Sequence, residues 1–583
     1  MILQALNDYY ETLAARGQIA RRGWSSAKVV YALTLGEDGA LLDVLPLRHE
    51  VQQGKKTVLA PIIMEVPEQL KRTVGVAANF LCDNSGYLLG VDAKGKPERT
   101  RKCFQAAKQL HERLLESVDS PAARAVHAFF QTWNPDAAQN HPALRDSYED
   151  ITAGGNLVFR FRERFVHDDP LVQASWDQRA DEGQGQMGRC LVTGQRAPIA
   201  AVHPAIKGVR GAQAVGAALV SFNAAAFESY EKSQSVNASV GEPAAFAYTT
   251  ALNHLIADTK HTRRMGDTTV LYWAQNADPV YQDAFGYCVE PSFLEEDDIK
   301  RALDTLSKGK PYDLSGKVLR PETHFYVLGL SPNAARLSVR FFYHNQFGEI
   351  MENINRHYKR LAIERPAYDE RELLSIYSLL YETANPNSRD KLPPAILVGA
   401  LFRAILEDQP YPAFLFQDVM MRIRAERSLS RGRAAILKAY LSKWLEKSPN
   451  PPMEEVVNME VLNDESNYLP YVLGRLFSVL EAVQQAANPG INTTIRDRYF
   501  NSASATPATI FPLLTKLSQS HLRKLDTGLR VFYEKQIVDL QGRIQRTLPD
   551  RLTLPEQGTF HLGYYHQTQK NYTKKNKGES DNG

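Results

Sequence analysis

The sequence predicts an α+β multidomain protein, with a mixed α/β N-terminal region followed by an all-helical C-terminal bundle. Three observations carry this. β-type runs fall within residues 1–370, as at 268–273 and 325–330. Helical 3.6-residue periodicity takes over from about residue 371, at 373–380, 395–406 and 433–445. A length of 583 residues allows several cores, with expected boundaries near 150, 370 and 450.

Leu3, Leu6, Tyr10 and Leu13 recur at helical spacing, and residues 24–33 with Gly36 and Gly39 predict a hairpin after that helix. Residues 87–91 form a short apolar run, and the turn 92–96 that follows predicts a basic hairpin tip. Residues 101–133 are helical in period, whereas 134–186 are polar and glycine-rich and predict irregular connecting structure. Residues 190–273 predict loops carried on a scaffold and ending in a strand. Residues 325–330, 331–334 and 337–343 predict strand, turn and strand; Ser331 capping a helix that starts at Pro332 is the rival. A helix over 347–361 follows, with Ile350, Ile354 and Tyr358 four apart. The Pro-rich stretch 447–453 predicts a linker. Helices are expected near 468–487, 507–525 and 527–547, and a disordered tail from about 574.

Composition bounds the function. Lys and Arg total 69 against 66 Asp and Glu, a net charge of +3, so any polyanion site must be local. Cys82, Cys103, Cys190 and Cys288 are scattered without a C-x-x-C pair, which points to a reducing compartment. Asp8 and Glu11 interrupt what would be the apolar core of a secretory signal. The longest apolar stretch, 395–406, contains Arg403 and falls short of the ~20 residues a membrane span needs. The expectation is a cytoplasmic protein with no membrane partner.

No catalytic set stands out. The segment 309–318 fails the phosphate-loop spacing, and Asn333 replaces the second glycine of a nucleophile elbow. Cys190 with His203 is a weak metal pair, and His254, His261, His344 and His357 could act as bases only beside carboxylates brought by the fold. Neither metal nor cofactor is expected, and binding is favoured over catalysis.

Binding chemistry concentrates in three places. Lys94, Lys96, Arg99, Arg101 and Lys102 surround the single acid Glu98, forming either a polyanion contact or a solvated tip. Upstream, Lys71 and Arg72 precede the amide-rich Asn79-Phe80-Leu81-Cys82-Asp83-Asn84; asparagine suits base edges and turns equally. In 203–216, glycines interleave with Lys207, Arg210 and Gln213, so the backbone can approach phosphates closely; an ordinary glycine-rich turn network has the same composition. Asn223, Gln234 and Asn237 follow among aromatic residues.

Several long motifs then carry a resemblance: MILQALNDYYETLAARGQIARRGWSSAKVVYAL, NFLCDNSGYLLG, CLVTGQRAPIAAVHPAIKGVRGAQAVGAALVSFNAAAFESYEKSQSVNA, FYVLGLSPNAARLSVRFF and LGRLFSVLEAVQQAANPGINTTIRDRYFNSASATPATIFP. In order and over nearly the whole chain, they resemble the large subunit of the type I-C CRISPR surveillance complex, Cascade. The resemblance implies a non-catalytic subunit at the 5′ handle of the CRISPR RNA, beside the backbone and handle-binding subunits. It implies recognition of the protospacer-adjacent motif (PAM) in duplex DNA, help in duplex opening and R-loop stabilisation, and later recruitment of a helicase-nuclease that cuts. Guide pairing reads the remaining sequence, as in another RNA-guided effector. Two other classes stay open, an RNA-binding scaffold that never reads DNA and a divergent metal-dependent nuclease.

On this reading Asn79 and Asn84 are expected at base edges, Lys71, Arg72, Lys207 and Arg210 at phosphates, and Gln213, Asn223, Gln234 and Asn237 as wedge or strand contacts. The resemblance also implies an internal translation start that yields a separate helical small subunit. Met453 and Met459 are the candidates, with Arg475, Arg496, Arg498, Arg523 and Lys524 expected on strand phosphates.

Overall fold

A computed structural model describes residues 2–53, 56–69, 75–93, 95–182, 186–222, 224–291, 296–389 and 391–580. The chain forms two compact units, one of Met1–Ala205 with Val220–His254, the other of Ile206–Leu219 with Leu255–Gly583. None of these limits falls at 150, 370 or 450.

In the first unit, helix α1 (Ile2–Ala15) buries Leu6, Tyr10 and Leu13 of the face its spacing predicts, together with Tyr9, while Leu3 is half-buried. Strands β1 (Trp24–Leu35), β2 (Leu41–Pro46), β3 (Arg48–Gln53), β4 (Lys56–Pro67) and β5 (Cys82–Asn84) precede helices α2 (Ser85–Leu88), α3 (Pro97–Leu115), α4 (Pro121–Thr132) and α5 (Tyr148–Ala153). The stretch 101–133, helical in period, is divided between two helices, because Ser120 caps α4 by accepting from Ala122 N–H and Pro121 opens that helix. Strand β6 (Asn156–Phe161) pairs parallel with β1, giving the order β3-β4-β1-β6-β5 with β2 on β1 and β7 (Arg164–Phe165) on β6. The segment 134–186, expected to be irregular, therefore supplies an inner strand of the main sheet, and then helix α6 (Pro170–Glu182). Phe104, Phe129, Phe130 and Phe159 fill the space between the sheet and α3 and α4. The short pair β8 (Met187–Arg189) and β9 (Arg196–Pro198) opens the loop-rich stretch, and helix α7 (Glu242–Ala257) closes it.

The second unit carries a four-stranded antiparallel sheet, β10 (Thr262–Met265), β11 (Thr268–Ala274), β14 (His324–Asn333) and β15 (Arg336–Gln346), in the order β10-β11-β14-β15. Between β11 and β14 lie helices α8 (Pro279–Val289) and α9 (Glu296–Ser307) and the hairpin β12 (Tyr312–Leu314)–β13 (Lys317–Leu319). The expected strand-turn-strand at 325–343 is present, Asn333 pairing with Arg336 across a turn that holds Ala334 at φ +52°. Helix α10 (Phe347–Leu361) buries Ile350, Ile354 and Tyr358 as predicted.

The remainder is helical: α11 (Ile376–Tyr381), α12 (Ala395–Leu406), α13 (Ala413–Glu426), α14 (Arg431–Leu445), α15 (Pro451–Val457), α16 (Leu469–Ala487), α17 (Ile495–Ala505), α18 (Pro507–Leu522), α19 (Thr527–Gly542) and α20 (Leu554–Ser580). α16 is buried nearly all round and forms the axis against which α17 to α20 pack. Two expectations are corrected. The Pro-rich stretch is a linker only to Asn450, which caps α15; Pro451 and Pro452 fit its first turn, where the missing N–H groups cost nothing. The tail expected to be disordered from about 574 continues α20 as far as Ser580. No helix among the described residues is long and apolar enough to cross a membrane.

Candidate nucleic-acid interface

The glycine-rich segment forms a loop pinned at both ends in the second unit. Ile206 and Ala217 exchange backbone hydrogen bonds of 2.9 and 2.8 Å. Beyond them Ala218 N–H donates to Ala335 at 3.0 Å and its carbonyl accepts from Leu337 N–H at 2.9 Å, tying the loop to the turn between β14 and β15. Ile206, Val209 and Ala217 are buried, whereas Lys207, Arg210 and Gln213 are exposed. Gly208 and Gly211 have φ of +83° and +81°, and a Cβ on Gly211 would lie 3.1 Å from Pro332 Cγ, so both backbone conformation and space favour glycine. The result is a fixed ridge of backbone with two cations and an amide on its outer side, the arrangement that positions a protein on a phosphate chain.

A second loop, in the first unit, is strained and clamped. Tyr230 and Glu231 have φ of +53° and +58° and occupy the centre of a turn closed by Lys232 N–H to the Ser229 carbonyl at 3.0 Å. Positive φ at both central positions defines a type I′ turn, which non-glycine residues enter at ~1–2 kcal/mol each. Asn237 offsets that cost: its Oδ1 accepts from Ser229 N–H at 2.9 Å, and its Nδ2 donates to the Lys232 and Gln234 carbonyls at 2.7 and 2.9 Å. Gln234, at φ +48°, gives its own N–H to Glu228 Oε1 at 2.9 Å. Asn237 therefore shapes the loop, contrary to the strand contact expected of its side chain, while Gln234 stays exposed. The loop presents Tyr230, 94% exposed, which the sequence reading passed over because one tyrosine in Ser-Tyr-Glu-Lys carries no signal of exposure. Asn223 lies outside the described residues.

The N-terminal expectations change most. Asn79 is buried, and its N–H donates to Asp83 Oδ2 at 2.9 Å. Leu81, two residues on, sits at φ +57°, held by its N–H to His111 Nε2 at 2.9 Å, while His111 Nδ1 faces the Ala107 carbonyl at 2.7 Å. Burial keeps His111 neutral, with its pKa pushed down to about 4. Phe80 stacks on Trp176 at 5.1 Å. Asn84 caps α2, accepting from Gly86 N–H at 3.1 Å. The amide-rich motif is thus a buried turn, and Asn79 is not placed to meet a base edge. Lys71, Arg72 and Lys94 lie outside the described residues. The basic tip is not a hairpin: Lys96, Arg99, Arg101 and Lys102 begin α3, because Pro97 suits its first position. All four are exposed; Arg99 donates to the Gly75 carbonyl at 3.2 Å and Arg101 pairs with Asp136 at 3.2 Å.

In the C-terminal helices Arg475 is buried and committed, pairing with Asp464 at 2.8 Å and donating to the Asn463 carbonyl and to Gln567, so it is not a phosphate contact. Arg496 is half-buried, 3.8 Å from Glu481. Arg498 and Arg523 are exposed, and so is Lys524, which donates to Asn488 Oδ1 at 3.0 Å. Met453 is buried within α15, while Met459 is exposed beyond it.

The other titratable groups are tied up in the fold. His203 Nδ1 lies 2.6 Å from the Tyr248 hydroxyl, and burial lowers its pKa to about 4. Cys190 ends up below the ordinary thiol value: burial pushes it up, and donors from Gly241, Thr193 and Val192 outweigh that. His261 does gain carboxylates, Asp258 at 2.6 Å on Nδ1 and Asp283 at 2.8 Å on Nε2, so both ring nitrogens are engaged. Among the described residues, no group of three or more His, Cys, Asp or Glu is arranged to hold a metal ion.

No curated protein matches the chain. The family model described as CRISPR-associated protein (Cas_Csd1) matches residues 6–572, which takes in both units and the loops just described. The chain belongs to the Cas_Csd1 family of CRISPR-associated proteins.

Proposed function

We propose that this Cascade-type CRISPR subunit acts in a type I-C surveillance complex as the non-catalytic large subunit that recognises the PAM in duplex DNA. On this reading it sits at the 5′ handle of the CRISPR RNA beside the backbone and handle-binding subunits, helps open the duplex, steadies the R-loop and supports recruitment of the helicase-nuclease. A small subunit translated from within the same gene completes the assembly. The observation that carries the reading is the pinned loop of Ile206–Leu219, where Lys207, Arg210 and Gln213 stand exposed on a backbone fixed at both ends. Such a rigid cationic ridge sets register on a duplex without reading sequence by itself. Near-neutral overall charge fits a chain whose affinity is built from local sites and partners.

The test is DNA binding by the reconstituted complex, with and without this chain, on targets that differ only in the candidate PAM. Loss of discrimination without the chain supports the reading. Unchanged discrimination overturns it and reduces the chain to a scaffold.

A further inference from the structure

The helical C-terminal region encloses a cavity of about 320 Å³ between α16, α17, α19 and α20. Its floor is charged. Glu481, 5% exposed, accepts from the Thr494 hydroxyl at 2.7 Å and the Tyr564 hydroxyl at 2.6 Å. Arg496 lies alongside, and its Nε is buried with no hydrogen-bond partner among the described residues. Gln485 and Asn571 add amides to the lining. The mouth is aromatic: Phe532 and Tyr572 remain 41% and 57% exposed, whereas Tyr533, Phe560 and Tyr564 on the same two helices are buried. Lys535, one turn from Phe532 on α19, is exposed.

We propose that this cavity binds an unpaired nucleobase of a single-stranded nucleic acid. Each part of the lining has a use in that role. The exposed rings offer π faces to a base, and stacking of this kind accepts any base. The floor combines a carboxylate acceptor with guanidinium and amide donors, the set that meets the edge of a base. The Arg496 side chain, 39% exposed, can offer its guanidinium to an acceptor on that edge while its Nε stays turned toward Glu481 Oε1 at 3.8 Å. An apolar side chain from a protein partner would fill the same space yet leave the carboxylate, guanidinium and amides facing hydrocarbon, at a desolvation cost. The cavity volume lies at the small end of the range for ligand pockets, suited to one ring system. This inference rests on the reading of the chain as a nucleic-acid-binding CRISPR subunit, and it adds a site far along the chain from the pinned loop.

The test uses the full-length chain, alone and in the reconstituted complex, with single-stranded DNA and the same strand carrying abasic positions. Phe532→Ala and Tyr572→Ala should each weaken binding to the ordinary strand by about 5- to 150-fold, the span of a single lost stacking contact. Neither should change binding to the abasic strand. Phe532→Tyr and Tyr572→Phe keep the rings and should restore affinity, which separates stacking from misfolding. PAM discrimination on duplex targets, measured in parallel, reports on the wider reading independently. Equal affinity of wild type and both alanine variants for the ordinary strand overturns the proposal, even where PAM discrimination is intact. Loss of affinity for a partner subunit in place of DNA also overturns it and marks the cavity as a protein contact.

Discussion

Gly474 on α16 and Gly563 on α20 face one another's helices at a crossing where the two backbones touch. A Cβ on Gly474 would overlap the Phe560 carbonyl oxygen, and one on Gly563 would overlap the Tyr471 carbonyl oxygen. Both obstacles are backbone, which cannot swing aside as a side chain can. This contact seats α20 against the central helix, and it fixes Tyr564 where its hydroxyl meets Glu481.

The first prediction follows from that crossing. Alanine is ordinarily a better helix former than glycine by about 1 kcal/mol. At these two positions the sign should reverse. Gly474→Ala and Gly563→Ala should each destabilise the protein by ~1–3 kcal/mol, the usual cost of overpacking a tight core. Thermal denaturation checks it, with Gly542→Ala as the control, since no atom lies within 4 Å of where that Cβ would stand.

A second prediction concerns acid. His561 on α20 is buried between Phe500 and Phe560, and neither ring nitrogen has a hydrogen-bond partner among the described residues. Burial, with Arg424 adding to it, pushes its pKa down to about 3. In the unfolded chain a histidine takes its proton near pH 6.5. Between these values the unfolded state binds the extra proton, so stability rises with pH; it is full above about 6.5 and falls as pH drops toward 3. His561→Leu should remove up to one proton from this linkage, about 1.4 kcal/mol per pH unit, and flatten the fall. Chemical denaturation at pH 7.5, 6 and 5 measures it, and an unchanged slope would refute the assignment. His357 and His566, also buried and lowered, should keep part of the slope in the variant.

How far the fold was legible depends on whether local pattern and tertiary context agree. Helix α10 runs over the residues its periodicity predicts because Ile350, Ile354 and Tyr358 form one buried stripe. The turn between β14 and β15 was legible from β-rich flanks around Pro332 and Asn333. Strand β6 was masked by polar neighbours, although its six residues follow Gly154-Gly155 and are mostly apolar. The Pro-rich stretch misled, because Pro451 opens a helix where it resembles a turn signal in sequence, and the turn at 92–96 leads into α3 at Pro97 in place of a second strand. The site was less legible than the fold. Exposure of Lys207 and Arg210 follows from glycines that local reading can find, but burial of Asn79 depends on Asp83, His111 and Trp176, the last nearly a hundred residues away. The C-terminal cavity draws on four helices, so no window of sequence contains it.

A third prediction bears on the internal start. A product beginning at Met453 would cut into α15 and discard Asn450, Pro451 and Pro452, its cap and first turn. One beginning at Met459 would start on an exposed residue and keep α16 to α20 whole, with α16 still packed on α20. Intact-mass measurement of the purified complex should therefore show a fragment of residues 459–583. Met459→Ile in the gene should abolish it, while Met453→Ile should not. Absence of any C-terminal fragment would remove the internal start from the picture.

A fourth prediction separates the two kinds of contact assigned to the N-terminal motif and the pinned loop. Asn79 is buried beside Asp83, and Asn84 caps α2, so Asn79→Ala and Asn84→Ala should lower stability, the lost cap by about 1 kcal/mol, and leave PAM preference as it was. A relaxed PAM preference in either folded variant would restore the asparagines as base readers. Arg210→Ala should behave in the opposite way. Its side chain is exposed on a loop whose backbone is fixed elsewhere, so stability should hold. Binding should weaken alike on all duplex targets, and the slope of log affinity against log salt should fall by about 1, as for one lost phosphate contact. An unchanged salt slope would place the phosphate contact elsewhere on the chain.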